Sequence, residues 1–431
     1  MIDPQQPGEP GSVRHGAVGP MARETGRQVV VFADTGDDAR VDWGRAGVRD
    51  VADSRDFADG DVPPETVQHA GATVFAALGI AVVAAGPEQI GALRAISARP
   101  VLSVSPELVH SVLADAGGYA RGYRDGVADL TGRLLAPGAE DEVATARFAD
   151  TPSATWGVQA VRADTSSRSG RGIRVAVLDT GFDLAHPDFA GRSVTARSFV
   201  AGEDAQDAHG HGTHCIGTAC GPRIPPGGPR YGIAPEAEIY AGKVLGTDGN
   251  GTDAGILAGI NWAVTNRCPV ISMSLGADVV QAHPPYSAAG GRALRQGSLV
   301  LAAAGNNADR RAGNAGFVGT PANSVEIMAV GAVDQEFRMA YFSARSLPSR
   351  GGQVDIAGPG WEVSSAWPMP VRYQTISGTS MATPHVAGVA ALWAEATGHR
   401  GLELWATLCQ ESERLLQPSV DVGCGLAMAP R

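Results

Sequence analysis

Ile173-Arg174-Val175-Ala176-Val177-Leu178, followed directly by Asp179-Thr180-Gly181-Phe182-Asp183, is the stretch that decides the fold. An apolar run without polar alternation is a strand covered on both faces, the condition of a strand in a parallel sheet. Working outward, similar runs recur at Glu238–Val244, Val270–Met273, Leu299–Ala303, Ile327–Val330 and Val354–Ile356. Between several of them lie helical stretches, notably Asp253–Val264, Ser287–Gln296 and one after Ser380. Such alternation predicts an α/β unit over residues 151–431: a doubly wound, mostly parallel sheet with helices on both faces. In such a sheet ligands sit beyond the carboxyl ends of the strands, and Asp179 stands there.

Upstream of this unit the pattern is smaller. Pro137 to Asp150 is acidic, contains Ala and Gly, and marks a domain boundary. Val29–Phe32, Ile80–Ala85 and Val101–Val104 read as strands, and Pro64–Leu78 and Pro87–Ile96 as helices. Pro87 opens the second helix with Glu88 in its favoured first turn. This order predicts a small α+β domain of the ferredoxin-like kind over residues 28–110. Residues 1–27 read as a disordered polar tail. Residues 111–150 read as a helical or flexible linker with a possible processing site. Its helical pattern, Glu107–Leu135, is weakened by Gly117, Gly118, Gly122 and Gly126.

Charge excludes several partners. Lys and Arg number 34 against 45 Asp and Glu, with no basic run, which argues against nucleic acid or an anionic membrane surface. The longest apolar stretch, Ala72–Gly86, is too short to span a bilayer and is broken by Gly79. The opening residues lack the apolar core of a secretory signal. Five cysteines, an odd number without paired metal spacing, fit reduced thiols, so the expected location is cytoplasmic.

Four segments bring catalytic residue types to one edge of the expected sheet. Asp179 ends its first strand. His211 lies in His209-Gly210-His211-Gly212-Thr213-His214, on a glycine turn leading into a helix, and Asn306 ends another strand in Ala303-Ala304-Gly305-Asn306. Ser380 stands in Gly378-Thr379-Ser380-Met381-Ala382, ahead of a stretch with no charge until Glu395. A helix apolar on every side is buried, so Ser380 sits at its positive end. Pro384 suits that helix in its first turn. Taken singly, Ser380 reads as an N-cap, Asp179 as a helix cap, Asn306 as a turn residue and His211 as a core histidine. Those readings do not jointly reproduce the order Asp, His, Asn, Ser.

The flanks carry a resemblance. DTGFD at Asp179, HGHGTH around His211, AAAGN ending at Asn306 and SGTSMATPHVAG around Ser380 are similar to the subtilisin-like serine proteases, over roughly residues 151–431. Lesser matches are Trp156-Gly157-Val158, Ser272–Gly276 and Phe317–Pro321. The resemblance implies a serine endopeptidase working through an acyl-enzyme. Ser380 would be the nucleophile, His211 the general base and acid, and Asp179 the orienting acid. The Asn306 amide and the Ser380 backbone N–H would hold the oxyanion. A peptide or protein substrate would lie as an added strand between Gly249–Gly251 and Ser274, Leu275 and Gly276. Gly319 would leave the floor of the first specificity pocket open to a large side chain.

Other readings of the same residues are weaker. His209, His211 and His214 have no accompanying carboxylate or cysteine framework, so no metal is expected there. The family often binds calcium, and Asp188 matches one ligand position. The segment that would supply most other ligands, Gly221–Gly228, is poor in side-chain oxygens, so the usual site is not evident. Gly249-Asn250-Gly251-Thr252-Asp253-Ala254 matches a loose dinucleotide fingerprint without its downstream acid. An α/β-hydrolase needs its acid and then its histidine after the serine, whereas His399 is the last histidine and Asp421 follows it.

The first domain resembles the propeptide domain of these proteases in size and element order. That implies an intramolecular chaperone and inhibitor whose tail lies in the active site, with self-cleavage in Ala136–Thr151. Two further functions fit the same residues. One is a dedicated processing protease for a single peptide or protein, as in leader-peptide removal. The other is a catalytically silent peptide-binding module, against which the complete set of four residues argues.

Overall fold

The computed structural model describes residues 23–33, 41–96, 100–113, 147–347 and 352–431. Its N-terminal part comprises β1 (Glu24–Phe32), β2 (Val51–Asp53), α1 (Pro64–His69), β3 (Ala72–Phe75), β4 (Ile80–Val83), α2 (Pro87–Ile96) and β5 (Val101–Val112). The strands lie in the order β5-β1-β4-β3-β2. Side chains in β1 and β4 alternate between two cores, as a strand requires. Val30, Phe32, Ala81 and Val83 pack with Leu93 of α2, while Val29, Val31, Ile80 and Val82 join a core shared with the second domain.

Two sequence readings are corrected here. The helix expected over Pro64–Leu78 stops at His69, because Ala72–Phe75 pairs antiparallel with β4 and its Thr73 and Val74 suit a strand. Glu107–Val112, given a helical pattern by sequence, is instead the far half of β5. The cause is tertiary: this half pairs with strands of the other domain. Residues 114–135 of that expected helix lie outside the described residues, as do 1–22 of the expected tail, while Glu24–Arg27 open β1.

The second part begins with α3 (Trp156–Ala160), β6 (Arg174–Asp179), β7 (Val194–Ser198), α4 (His211–Cys220), β8 (Glu238–Lys243) and β9 (Asn250–Thr252). It continues through α5 (Asp253–Thr265), β10 (Val270–Met273), β11 (Leu275–Gly276), α6 (Pro284–Arg295), β12 (Leu299–Ala303), β13 (Met328–Val333) and β14 (Ile356–Pro359). A hairpin of β15 (Val363–Ala366) and β16 (Tyr373–Ile376) precedes α7 (Thr379–Thr397), α8 (Gly401–Gln410) and α9 (Ser419–Val422). The main sheet has seven strands in the order β14-β13-β12-β10-β6-β8-β7, every neighbouring pair parallel.

Both faces of this sheet are covered. Val175 and Val177 of β6 pack with residues of α4 and α7, whereas Ala176 and Leu178 pack with α5 and α6. That double burial is why β6 reads as one apolar run. The β1–β4 sheet lies over α5 and α6, so the N-terminal domain extends the second core. Arg292 of α6 ties the two together by donating to the carbonyls of Leu78 and Phe32. The chain steps from β6 toward β7 and β8 on one side and toward β10 on the other. A crevice therefore opens at the carboxyl ends of β6 and β10. Among the described residues, no helix is long and apolar enough to cross a membrane.

Helix α7 departs from expectation in one respect. It starts at Thr379, so Pro384 falls in the second turn rather than the first. Its missing N–H leaves the Ser380 carbonyl without a helical donor. Ser274 Oγ donates to that oxygen at 2.7 Å, and the Cys215 thiol lies 3.6 Å from it. The proline is tolerated because donors from other elements serve the carbonyl it abandons.

Candidate active site

β6 ends on Asp179, and α4 begins on His211 after Gly210, whose φ of 106° makes the sharp entry. His211 Nδ1 lies 2.7 Å from Asp179 Oδ1, with both side chains buried. Thr180 N–H donates to the same oxygen at 2.8 Å. Burial disfavours charge on His211, but the Asp179 carboxylate outweighs it and raises the imidazole well above its ordinary pKa.

Asp207, which sequence reading passed over, organises this turn. Its Oδ1 accepts from Gly210 N–H at 2.8 Å and from His209 N–H at 3.0 Å. Its Oδ2 accepts from Thr213 N–H at 2.8 Å. The legible signal was an Asp two residues ahead of a His-Gly turn, the pattern of an Asx-turn. His214 is buried against the Val363 carbonyl at 3.1 Å, and burial pushes it down to about 3.

Ser380 is the second residue of α7 and is fully buried. Its Oγ donates to the Ser274 carbonyl at 3.2 Å, while His211 Nε2 has no hydrogen-bond partner. A turn about the Ser380 Cα–Cβ bond is therefore needed to bring hydroxyl and base together, the kind of looseness common before a reacting complex forms. Asn306 follows β12. Its Oδ1 accepts from Thr379 N–H and Thr379 Oγ, each at 2.9 Å, and Gly305 N–H donates to that Oγ at 3.2 Å. Holding the amide oxygen this way turns Nδ2 toward the cleft. Thr379 is thus a positioning residue that the sequence reading missed, although it directly precedes Ser380.

What fills the cleft is the chain itself. The far half of β5 runs between β9 and β11, with His110 opposite Gly251, Ser111 opposite Asn250 and Gly276, and Val112 opposite Leu275. Val112 N–H donates to the Gly249 carbonyl at 2.9 Å. Asn306 Nδ2 donates to the Leu113 carbonyl. A Cβ on Gly276 would come within 3.1 Å of Leu113 Cδ1, and one on Gly378 within 3.4 Å of the Leu113 oxygen. Gly249, Gly251, Leu275 and Gly276 therefore flank this segment. Ser274 bonds Ser380 through both its hydroxyl and its carbonyl. A Cβ on Gly319 would meet the Ala277 carbonyl oxygen at 2.6 Å. Gly249–Gly251 belongs to an edge-pairing segment around β9, not to a phosphate loop.

The sequence model described as "Subtilase family" matches residues 170–421, more than half of the chain. The chain belongs to the subtilase family. It is 42% identical over 244 residues to M-protease of Shouchella clausii (strain KSM-K16), a match covering 56% of this chain and 59% of that protein. Subtilisin Savinase of Lederbergia lenta is also 42% identical over 244 residues, covering 56% of this chain and 84% of its own. Subtilisin DY of Bacillus licheniformis is 38% identical over 241 residues, covering 55% and 83%. Membership places this subtilase among the serine-type endopeptidases and accounts for its doubly wound sheet.

The cation question can be put to this subtilase directly. Asp188 is buried and accepts from Tyr231 OH at 2.7 Å, Tyr373 OH at 2.9 Å and Arg372 Nη2 at 2.9 Å. A calcium ion needs several free oxygens, and here a guanidinium already supplies the positive charge. The residues at Asp188 do not fit calcium. Asp179, His211 and Cys215 bring donor atoms within 4.8 Å of one another. Two of these already bond each other, and burial pushes the Cys215 thiol up, away from the thiolate a metal would require.

Proposed function

We propose that this subtilase is a self-inhibited endopeptidase whose N-terminal domain occupies the cleft until the bond after Leu113 is cut. The observation that carries this reading is the Leu113 carbonyl, hydrogen-bonded to Asn306 Nδ2 at the end of a strand paired between β9 and β11. That is the posture of a substrate whose carbonyl is next in line for attack. Sequence had pointed to Ala136–Thr151 for processing. Residues 136–146 of that segment lie outside the described residues, and Leu113 is the better-supported position.

The chemistry follows from the geometry. The Ser380 hydroxyl rotates toward His211 Nε2 and gives it a proton as Oγ bonds to the substrate carbonyl carbon. Asp179 stabilises the imidazolium through Nδ1, and the oxyanion is held by Asn306 Nδ2 and the Ser380 N–H. His211 then passes its proton to the leaving amine as the C–N bond breaks. Water attacks the resulting ester and gives a proton to His211, which passes it to Ser380 Oγ as the acyl C–O bond breaks and the acid leaves.

Purified wild-type chain should convert to a fragment beginning at Ala114 and should take a fluorophosphonate label, while Ser380→Ala stays at full length and unlabelled. Asn306→Ala should fold and turn over about 10²–10³ less, a figure measured on subtilisin itself. A wild-type band that matches Ser380→Ala and takes no label would sink the reading.

A further inference from the structure

Asp253, the first residue of α5, is completely buried beside the cleft, and its two oxygens gather donors from both domains. Oδ1 lies 2.7 Å from His110 Nε2 and accepts from Tyr286 OH at 2.8 Å. Oδ2 lies 3.0 Å from His283 Nε2 and accepts from Leu108 N–H at 2.7 Å. Burial alone would raise the Asp253 carboxyl, but hydrogen bonds and charge from His110 and His283 more than reverse it and hold it below its ordinary value.

His110 is the fourth residue ahead of the bond proposed above, counting Leu113 as the first. It is completely buried, with its ring edge-on to Tyr286 at a centroid distance of 5.3 Å. His110 Nδ1 has no partner, so the pocket asks for a single N–H donor, presented by Nε2. The site therefore has an anionic acceptor at its base and an aromatic wall, at the reach of an imidazole. A lysine or arginine stem is longer than that reach, and an asparagine amide falls short of it. An aliphatic side chain would fill the space and leave a buried carboxylate short of one donor, a costly omission.

We propose that Asp253, Tyr286 and His283 form a fourth subsite selecting histidine, so that the substrates of this enzyme are proteins with an extended segment of the form His-x-x-Leu ahead of the cut. This rests on the proteolytic reading. His110 is then the substrate-like occupant of the pocket, and its departure after processing exposes Asp253 to the matching side chain of a substrate. Selection works as it does in any site built to hydrogen-bond its ligand: an analogue lacking the donor is rejected because the buried acceptor goes unmet.

The test uses the self-processed wild-type chain and quenched-fluorescent peptides Leu-Val-X-Ser-Val-Leu-Ala-Asp, with X as His, Lys, Asn, Leu or Asp. The expected kcat/KM is highest for His, about ten- to hundred-fold above Leu, and lowest for Asp. In Asp253→Val the order of His and Leu should reverse. Leu equal to or above His in the wild type overturns the subsite, and that comparison does not depend on any variant folding. Fluorophosphonate label with no cleavage of the His peptide also overturns it. Loss of both label and cleavage overturns the proteolytic reading and the subsite with it.

Discussion

Asp179 and Asp253 are both buried, and each lies 2.7 Å from a histidine nitrogen, yet the two pairs are put to different uses. In the first pair both residues belong to one domain, from the end of β6 and the start of α4. Asp179 takes Nδ1 and leaves Nε2 without a partner. In the second pair the histidine arrives from the other domain on β5. Asp253 takes Nε2, and the bare Nδ1 faces nothing that reacts. Pair length and burial are the same, so neither distinguishes a catalytic dyad from a recognition contact. The distinction lies in which ring nitrogen is left over, and in whether the histidine can leave.

The sharpest way to break this comparison is to neutralise each carboxylate without changing its shape. Asp179→Asn should fix the wrong tautomer of His211 and lower kcat by about 10⁴, with KM little moved. Asp253→Asn should lower kcat/KM on the His-bearing peptide by about ten- to hundred-fold, chiefly through KM, since its contact is the same in ground and transition states. Steady-state kinetics on that peptide separates the two. Equal losses in kcat would mean that both pairs serve the reaction step and that the division drawn here is wrong.

The two pairs also differ in how far they could be read from sequence. Asp179, His211, Asn306 and Ser380 each sit in a distinctive local motif at a strand or helix end, and their order was legible. So were β10 and β12, because strands buried on both faces write an uninterrupted apolar run. The Asp253–His110 contact was not legible. Glu107–Val112 is extended because β9, β11 and the start of β1 offer it partners, and nothing local to that segment announces them. The place of Pro384 was missed for the same kind of reason. Its tolerance depends on Ser274 and Cys215, which come from other elements.

Histidines buried without an acid sharpen the comparison in a second way. Burial lowers His214 to about 3 and His385 to about 4, against an ordinary 6.5. Below pH ~6.5 the unfolded chain binds these protons and the folded chain does not. Their contribution is fully present above that pH and is lost as pH falls toward 4. His211, raised by Asp179, has the opposite sign: its contribution is present below pH ~6.5 and fades as pH rises through its elevated folded value. Thermal melts of Ser380→Ala, which cannot digest itself, should therefore show Tm dropping between pH 6.5 and 4. His385→Gln should flatten that drop by ~3 kcal/mol at its acid end. An acid slope identical in both proteins would remove His385 from the account.

Asp188 is a third buried carboxylate, and its guanidinium partner, Arg372, neither reacts nor leaves. Arg372 stays charged at any working pH, so this contact should be indifferent to the acid range that tests the histidines. It also stacks over Tyr373 at 5.1 Å, and its φ of 70° holds the chain where His186 can bond the Arg372 carbonyl at 3.0 Å. Arg372→Asn is the suitable change, because asparagine accepts that backbone while removing the cation. Asp188 would keep both tyrosine hydroxyls, and Arg372 is itself part-exposed, so the effect should be the smallest of the three: Tm lower by about a few degrees. The drop should be the same at pH 5 and pH 8, with kcat on the His-bearing peptide unmoved. A drop that grew toward acid would overturn this reading of the contact. The contact would then behave like the histidine pairs and not as the fixed charge that separates it from them.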